Sequence, residues 1–383
     1  MTLRQRLLTV FAGRAAERVP FYADLSYWYA SQQMRGTLPP QYAGDEGYLR
    51  LHQDLGVGIY VYAPSPFVVH TDPQVQRQVH EHEGERITVT RTPAGTVRER
   101  WRYCPTSFSW GPEEYAVKSP RDLQVVAYVA QARGVEANLA PLDACDRAWG
   151  ESGLPVTLTP RTPLAQLVVE WVGLETLAAL VADVPHEVER TLELLRRCDD
   201  PVYRILEACP ATLVEIPDNL SAEVVGGWWR RYSADYYRHR IDGLHATGKK
   251  VGVHLDGTLR GLIEVLPQVG LDFIESVTPA PVGDLPVEAL RLRVPPQTIL
   301  WGGIPGALFS PLFPEDELRR HVQRVLEAQR AQGRFVLASA DQVPPDGDIG
   351  RVRRVAEWVD EFGPGGPEGA DDGSVRPGPA PSP

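Results

Sequence analysis

A chain of 383 residues that is 43% hydrophobic and 23% charged can bury a large core, either as two ordinary domains or as one big barrel. Thirty-nine Lys and Arg against fifty Asp and Glu leave a formal charge of −11, which removes any general electrostatic case for DNA, RNA or an anionic membrane as partner. Leu, Val, Ile and Phe are too plentiful for a fibrous or wholly disordered chain.

The first predicted element is an N-terminal amphipathic helix, because Leu3, Leu7, Leu8 and Phe11 fall at helical spacing. Its apolar stretch is too short for a secretory signal, and nowhere do about 18 apolar residues run together as a membrane span requires. Cys104, Cys145, Cys198 and Cys209 form no C-x-x-C pair and are too sparse for a disulfide framework, so a reduced, cytoplasmic compartment is expected.

Eight short runs rich in β-branched and aromatic residues then follow, at 19–23, 58–62, 156–159, 213–216, 250–254, 273–276, 299–302 and 335–339. Amphipathic stretches separate most of them, at 174–197, 228–247, 259–269 and 315–332, and Gly248 and Gly333 stand where helix C′ residues belong. Eight strands alternating with helices predict an α/β fold, a single (β/α)8 TIM barrel. No G-x-G-x-x-G follows the first strand, which weighs against a doubly wound dinucleotide-binding sheet.

Two segments depart from the alternation. Residues 74–103 alternate around Pro93-Ala94-Gly95 and predict a β-hairpin inserted after the second strand. His70, His80 and His82 lie in or beside it and read as polar positions on an exposed face, because no convergent carboxylate or Cys pattern accompanies them. Residues 363–383 hold one Val and no other large apolar side chain, and so are expected to be a disordered tail on a barrel of residues 1–362.

In α/β barrels the chemistry stands at the C-terminal strand ends. Here those ends carry Asp24 with Tyr27 and Trp28, then Glu215 to Asn219, His254 with Asp256, Glu275, Gly302-Gly303, and Asp341. His254 and Asp256, two apart, suit a divalent metal, a general acid or base, or a structural histidine. Asp24 and Glu275 are the best catalytic candidates, since a carboxylate ending a buried strand needs a partner. Asp218 and Asn219 are candidates for substrate contact or for a turn ahead of Ser221. Gly302 and Gly303 allow close backbone approach to a ligand or a tight turn. Tyr27 and Trp28 offer a flat apolar surface, or core packing.

Several of these residues sit in motifs that resemble the uroporphyrinogen decarboxylase superfamily. They are Arg4-Gln-Arg-Leu-Leu, Arg18-Val-Pro20, Val117-Lys-Ser-Pro-Arg-Asp-Leu123, Asp218-Asn-Leu220, Gly248-Lys-Lys-Val-Gly-Val-His254-Leu-Asp-Gly257, Gly302-Gly-Ile304 and Val343-Pro-Pro345. The resemblance extends over residues 1–362 and implies a (β/α)8 barrel. That superfamily also includes corrinoid-linked methyltransferases. The decarboxylases carry an Arg-Gln-Ala-Gly-Arg motif after the first strand, where this chain has Asp24-Leu-Ser-Tyr-Trp28, and an acid after the second, where it has Tyr60-Val-Tyr-Ala-Pro64. The methyltransferases bind zinc through a His and two Cys. His254 matches the first, and Asp256 and Asp341 stand where the cysteines would be.

The resemblance therefore implies a methyltransferase, with His254, Asp256 and Asp341 holding a divalent metal, zinc first, and Glu275 as fourth ligand or base. Asp24, Asp218 and Asn219 would orient a small-molecule substrate. A corrinoid would arrive on a separate partner protein, with no cofactor bound covalently, and a homodimer fits the superfamily. Decarboxylation of uroporphyrinogen or another aromatic acid is the alternative. A non-catalytic barrel that binds a corrinoid or tetrapyrrole is the third reading.

Overall fold

The computed structural model describes residues 1–329 and 333–362, so the tail expected at 363–383 lies outside the described residues. Its strands are β1 (Phe21–Ala23), β2 (Gly58–Ile59), β3 (Phe67–Thr71), β4 (Gln76–His82), β5 (Glu85–Thr92), β6 (Gly95–Cys104), β7 (Ser109–Glu114), β8 (Arg133–Ala137), β9 (Val156–Leu158), β10 (Leu213–Leu220), β11 (Lys250–Leu255), β12 (Phe273–Val277), β13 (Ile299–Pro305) and β14 (Phe335–Ala340). Eight of them form one parallel sheet in the order β2-β1-β14-β13-β12-β11-β10-β9. Parallel bridges from Ile59 to Gly153 and from Tyr62 to Val156 join its two edges and close the barrel. All eight runs expected to be strands are strands of this sheet, and helices surround it.

Alternation along the strands sorts the side chains. Val214, Ile216, Val251, Val253 and Ile274 point outward into the large core shared with the helices. Tyr22, Tyr60, Leu213, Phe273 and Trp301 point inward and fill the lumen. The Trp301 ring lies 4.8 Å from Tyr60, 5.7 Å from Tyr22 and 6.1 Å from Phe273, centroid to centroid. Gly252 is the inward residue of β11 at this level, and a Cβ there would collide with the Phe273 ring. The N-terminal helix Leu3–Phe11, closed by a Thr2–Gln5 capping box, packs Leu7, Val10 and Phe11 against this layer. Phe11 meets Phe273 edge-on at 5.4 Å. The lumen is therefore a packed aromatic floor.

Three local expectations need correction. The insertion is larger than a hairpin over 74–103: β4-β5-β6-β7 make a four-stranded antiparallel sheet reaching Glu114, and β3 pairs antiparallel with β8 as a separate ribbon. The fourth strand was hidden because Gly111-Pro112 breaks any alternating pattern, and proline is tolerated there only because β7 is an edge. The stretch 174–197 is two helices, Leu174–Asp183 and Pro185–Cys198, divided where Pro185 cannot continue the first. The stretch 259–269 forms turns and a short 3-10 segment at Leu266–Val269, with Gly261 and Gly270 at positive φ.

Candidate functional site

One residue-pair step above the aromatic floor, the inward positions become polar. Going two residues on from Tyr22, Tyr60, Leu213, Gly252 and Phe273 gives Asp24, Tyr62, Glu215, His254 and Glu275. The β11–β12 register sets His254 directly opposite Glu275, and the β10–β11 register brings Glu215 to the level of Gly252. Strand periodicity and register thus collect one imidazole and two carboxylates at the mouth.

The His254 Nδ1 lies 2.6 Å from Glu275 Oε2, 3.3 Å from the Tyr62 hydroxyl and 4.0 Å from Glu215 Oε1. Tyr62 donates to Glu215 Oε1 at 3.1 Å and Tyr60 to Oε2 at 3.2 Å, so both oxygens of Glu215 are held by phenols. Burial and the facing Glu215 keep both phenols protonated, as this donation requires. Glu215 and Glu275 are fully buried and His254 nearly so.

Burial, then the nearby Glu275, pushes the Glu215 carboxyl well above the ordinary carboxylate range; His254 and the tyrosines offset this only in part. Burial disfavours a charged His254, yet the Glu275 carboxylate beside it outweighs that, with Glu215 and Asp341 adding to lift the ring to about 9. Asp24 is raised to about 6, chiefly by burial, while Ser26 opposes the shift.

The ligand atoms of Glu215, His254 and Glu275 lie within 4.8 Å of one another. The second oxygen of Glu275, Oε1, is buried and without a hydrogen-bond partner, which leaves a lone pair for a cation or a substrate proton. One nitrogen and carboxylate oxygens is a donor set that Zn, Fe or Mn accepts, so these residues fit a divalent metal.

This group differs from the expected trio. His254 is in it, but Asp256 and Asp341 are not. Asp256 falls past the end of β11, where its Oδ1 accepts from the Thr278 hydroxyl at 3.3 Å. Asp341 takes a left-handed turn with φ 62° just after β14, and its half-exposed carboxylate reaches 3.9 Å from His254 Nε2. Burial, eased by His254, raises it to about 6. It borders the site from the solvent side.

The remaining candidates are dispersed. Asp24 is buried at the mouth and accepts from the Ser26 amide at 2.7 Å and from the Gln342 amide at 3.3 Å. Trp28 is spent in the core, its indole donating to the Gly347 carbonyl at 3.0 Å, and Tyr27 is half-buried beside it. Asp218 accepts from the Thr162 amide, the Thr162 hydroxyl and the Tyr237 hydroxyl at 2.7, 2.5 and 2.7 Å. That arrangement ties the loop after β9 to the C-terminal part of β10. Asn219 is exposed with φ 52°. Gly302 and Gly303 serve close packing: a Cβ on Gly302 would stand 2.7 Å from the Val277 backbone, and one on Gly303 would stand 3.0 Å from Val325. His70, His80 and His82 are exposed on β3 and β4 and gather into no metal-binding group among the described residues. Glu215, Tyr60 and Tyr62 were not singled out from the sequence, although counting two residues on from an inward aromatic finds Tyr62 and counting two on from Leu213 finds Glu215.

The sequence model described as uroporphyrinogen decarboxylase (URO-D) matches residues 159–362. That span runs from the residue after β9 to the end of the last helix and contains Glu215, His254, Glu275 and Asp341. No curated protein matches the chain. Among solved structures, a methyltransferase from Methanosarcina mazei shares the fold with a TM-score of 0.60 at 13% identity, over 94% of this chain and 99% of that one. Among the described residues, no helix is long and apolar enough to cross a membrane.

Proposed function

The chain belongs to the uroporphyrinogen decarboxylase (URO-D) family, and on that premise we propose that it is a metal-dependent methyltransferase that moves a methyl group between a small substrate and a corrinoid carried by a separate protein. The observation that carries this reading is the buried Glu215–His254–Glu275 group at the barrel mouth. Glu215, His254 and Glu275 would hold the ion in place of the expected His254–Asp256–Asp341 set. A divalent cation bound there supplies a Lewis acid for the heteroatom that gains or loses the methyl group.

The chain's own residues do the rest. Tyr60 and Tyr62 lock the orientation of Glu215. Glu275 orients the His254 ring through Nδ1, and Asp341, 3.9 Å from Nε2 on the solvent side, is the group placed to hand over or take up a proton at the open mouth. The aromatic floor keeps water from entering below. Asp24 and Asp341 make an acidic rim that repels a polyanionic tetrapyrrole and suits a neutral or cationic small molecule. The fold shared with the archaeal methyltransferase supports the same reading.

Metal analysis of protein prepared without chelator tests the ion, with Glu215→Gln and His254→Ala as comparisons. Methylcobalamin, offered with small thiols, amines or phenols as acceptors, tests the reaction through its change in absorbance. The expected result is stoichiometric metal in the wild type, lost in both variants, and acceptor-dependent demethylation. Metal-free active protein would remove the ion from the scheme. Conversion of uroporphyrinogen to coproporphyrinogen would overturn the reaction in favour of decarboxylation.

A further inference from the structure

One sizeable cavity lies away from the barrel lumen. It has a volume of about 580 Å³ and lies between one face of the β4–β7 sheet and the π-helical turn Gln166–Trp171. Cross-strand pairing puts Arg77 opposite Thr90, Arg86 opposite Trp101 and Thr88 opposite Glu99, so these side chains share that face. At one end of the face Val97 packs with Val75, Val125 and Val129 in a small core; the other end is the open cleft.

Two of the cleft's three arginines are ion-paired, Arg86 with Glu81 at 3.0 Å and Arg161 with Glu170 at 3.6 Å, and the Glu170 carboxyl on the same wall also feels Arg77, yet guanidinium N–H groups remain unused. The Arg86 guanidinium lies 4.1 Å over the Trp110 ring, and Arg77 lies 6.0 Å over Trp171. Arg86 gives only its Nε–H to the protein, to Glu81 at 3.0 Å, and Arg77 makes no hydrogen bond or ion pair among the described residues. Two guanidiniums poised over indoles, with unused N–H groups, match the oxygens of a carboxylate or phosphate. Glu99, on the same face, has no cation within 4.0 Å among the described residues and can accept from an amine or ring N–H. Trp101 is half-buried and presents ring surface for stacking, whereas the Trp110 ring is taken up by Arg86 and by Tyr103 at 5.3 Å. Trp171 is brought to the wall by a π-helical turn, a distortion that often marks binding sites. Arg161 lines the same cleft and donates to the carbonyl of Pro217 in the site strand β10, two residues on from Glu215, so the cleft adjoins the barrel mouth.

We propose that this cleft binds a planar nitrogen heterocycle bearing an amino group and an anionic substituent. The ring stacks on Trp101, the anion takes the free edges of Arg77 and Arg86, and the amino group donates to Glu99. A volume of this size accommodates such a molecule whole. The proposal does not depend on the reaction at the mouth.

Two probes separate the sources of the anion: AMP for a phosphate and pterin-6-carboxylate for a carboxylate. Each is titrated against the full chain by calorimetry and tryptophan quenching. We expect saturable one-site binding of at least one probe, weakened about tenfold or more by Arg77→Ala and by Arg86→Ala, a loss of at least one hydrogen-bonded charge contact. Adenosine, which lacks the phosphate, should lose as much when AMP is the ligand. His254→Ala should bind either probe unchanged, because that ring is outside the cleft. Arg77 is exposed and unpaired, so Arg77→Ala tests the site without threatening the fold. Absence of saturation by both probes up to about 1 mM, or affinity indifferent to both arginine substitutions, overturns the proposal.

Discussion

Tyr60→Phe isolates one contact of the proposed metal group. The Tyr60 ring is buried against Trp301 at 4.8 Å and phenylalanine keeps that packing, so the change removes little beyond the hydroxyl that donates to Glu215 Oε2 at 3.2 Å. Glu215 retains Tyr62 on its other oxygen but is no longer fixed at both. Removing such an outer support of a ligand lowers metal affinity about 10- to 100-fold, or about 1.4 to 2.7 kcal/mol. The effect can be read as stability. With free zinc at about 100 times the wild-type Kd, binding stabilises the wild type by about 2.7 kcal/mol. A 30-fold weaker variant at the same zinc concentration is stabilised by only about 0.9 kcal/mol. Urea unfolding of chelator-stripped protein, with and without zinc, measures both numbers, and titration against a competing chelator gives Kd directly. A Tyr60→Phe protein that folds normally and binds zinc within twofold of the wild type would refute the assignment of Glu215 as a ligand held by Tyr60. So would a wild type whose unfolding is indifferent to zinc.

Other consequences are as specific. His52 is fully buried, and its lack of hydration depresses the ring to about 3, so the unfolded chain takes up a proton at about pH 6.5 while the folded one does not. Its contribution to stability is complete above that pH and falls away between 6.5 and 3, by up to about 5 kcal/mol; His52→Phe should flatten this part of an acid-unfolding curve. Asp218→Asn turns an NH2 toward at least one of the three buried donors that the carboxylate now satisfies, and should cost about 1–3 kcal/mol in urea unfolding. Unchanged stability there, with loss of substrate affinity, would return Asp218 to the substrate-orienting role. Gly302→Ala, at φ 141° with the Val277 backbone in the way, should lower stability by about 2 kcal/mol or more, measured in the same way.

The barrel was legible because each of its strands is short, apolar and separately bounded. Local composition was enough to find all eight, from Phe21–Ala23 to Phe335–Ala340. The inserted sheet was half legible. β5 and β6 alternate cleanly around their turn, but β7 carries Gly-Pro and its place is set by partners across the sheet, such as Glu113 and Glu114 against Arg102 and Arg98. His254 and Glu275 could be nominated from their positions at strand ends, and they meet at 2.6 Å.

Glu215 and its two tyrosines could not be nominated with the same force. Nothing near Glu215 in the chain says that Tyr60 and Tyr62, more than 150 residues earlier, will hold its oxygens. That depends on the closing of the barrel by the Tyr62–Val156 bridge and on the register of three neighbouring strands. Asp256, two residues from His254, looked like its partner because proximity in sequence is visible, whereas past a strand end the backbone no longer fixes direction. The sequence by itself determined the architecture and the acidic character of the mouth, since periodicity and composition are local properties. Which carboxylates share the histidine was decided only by the tertiary structure, because register and closure are relations between strands that no single segment encodes.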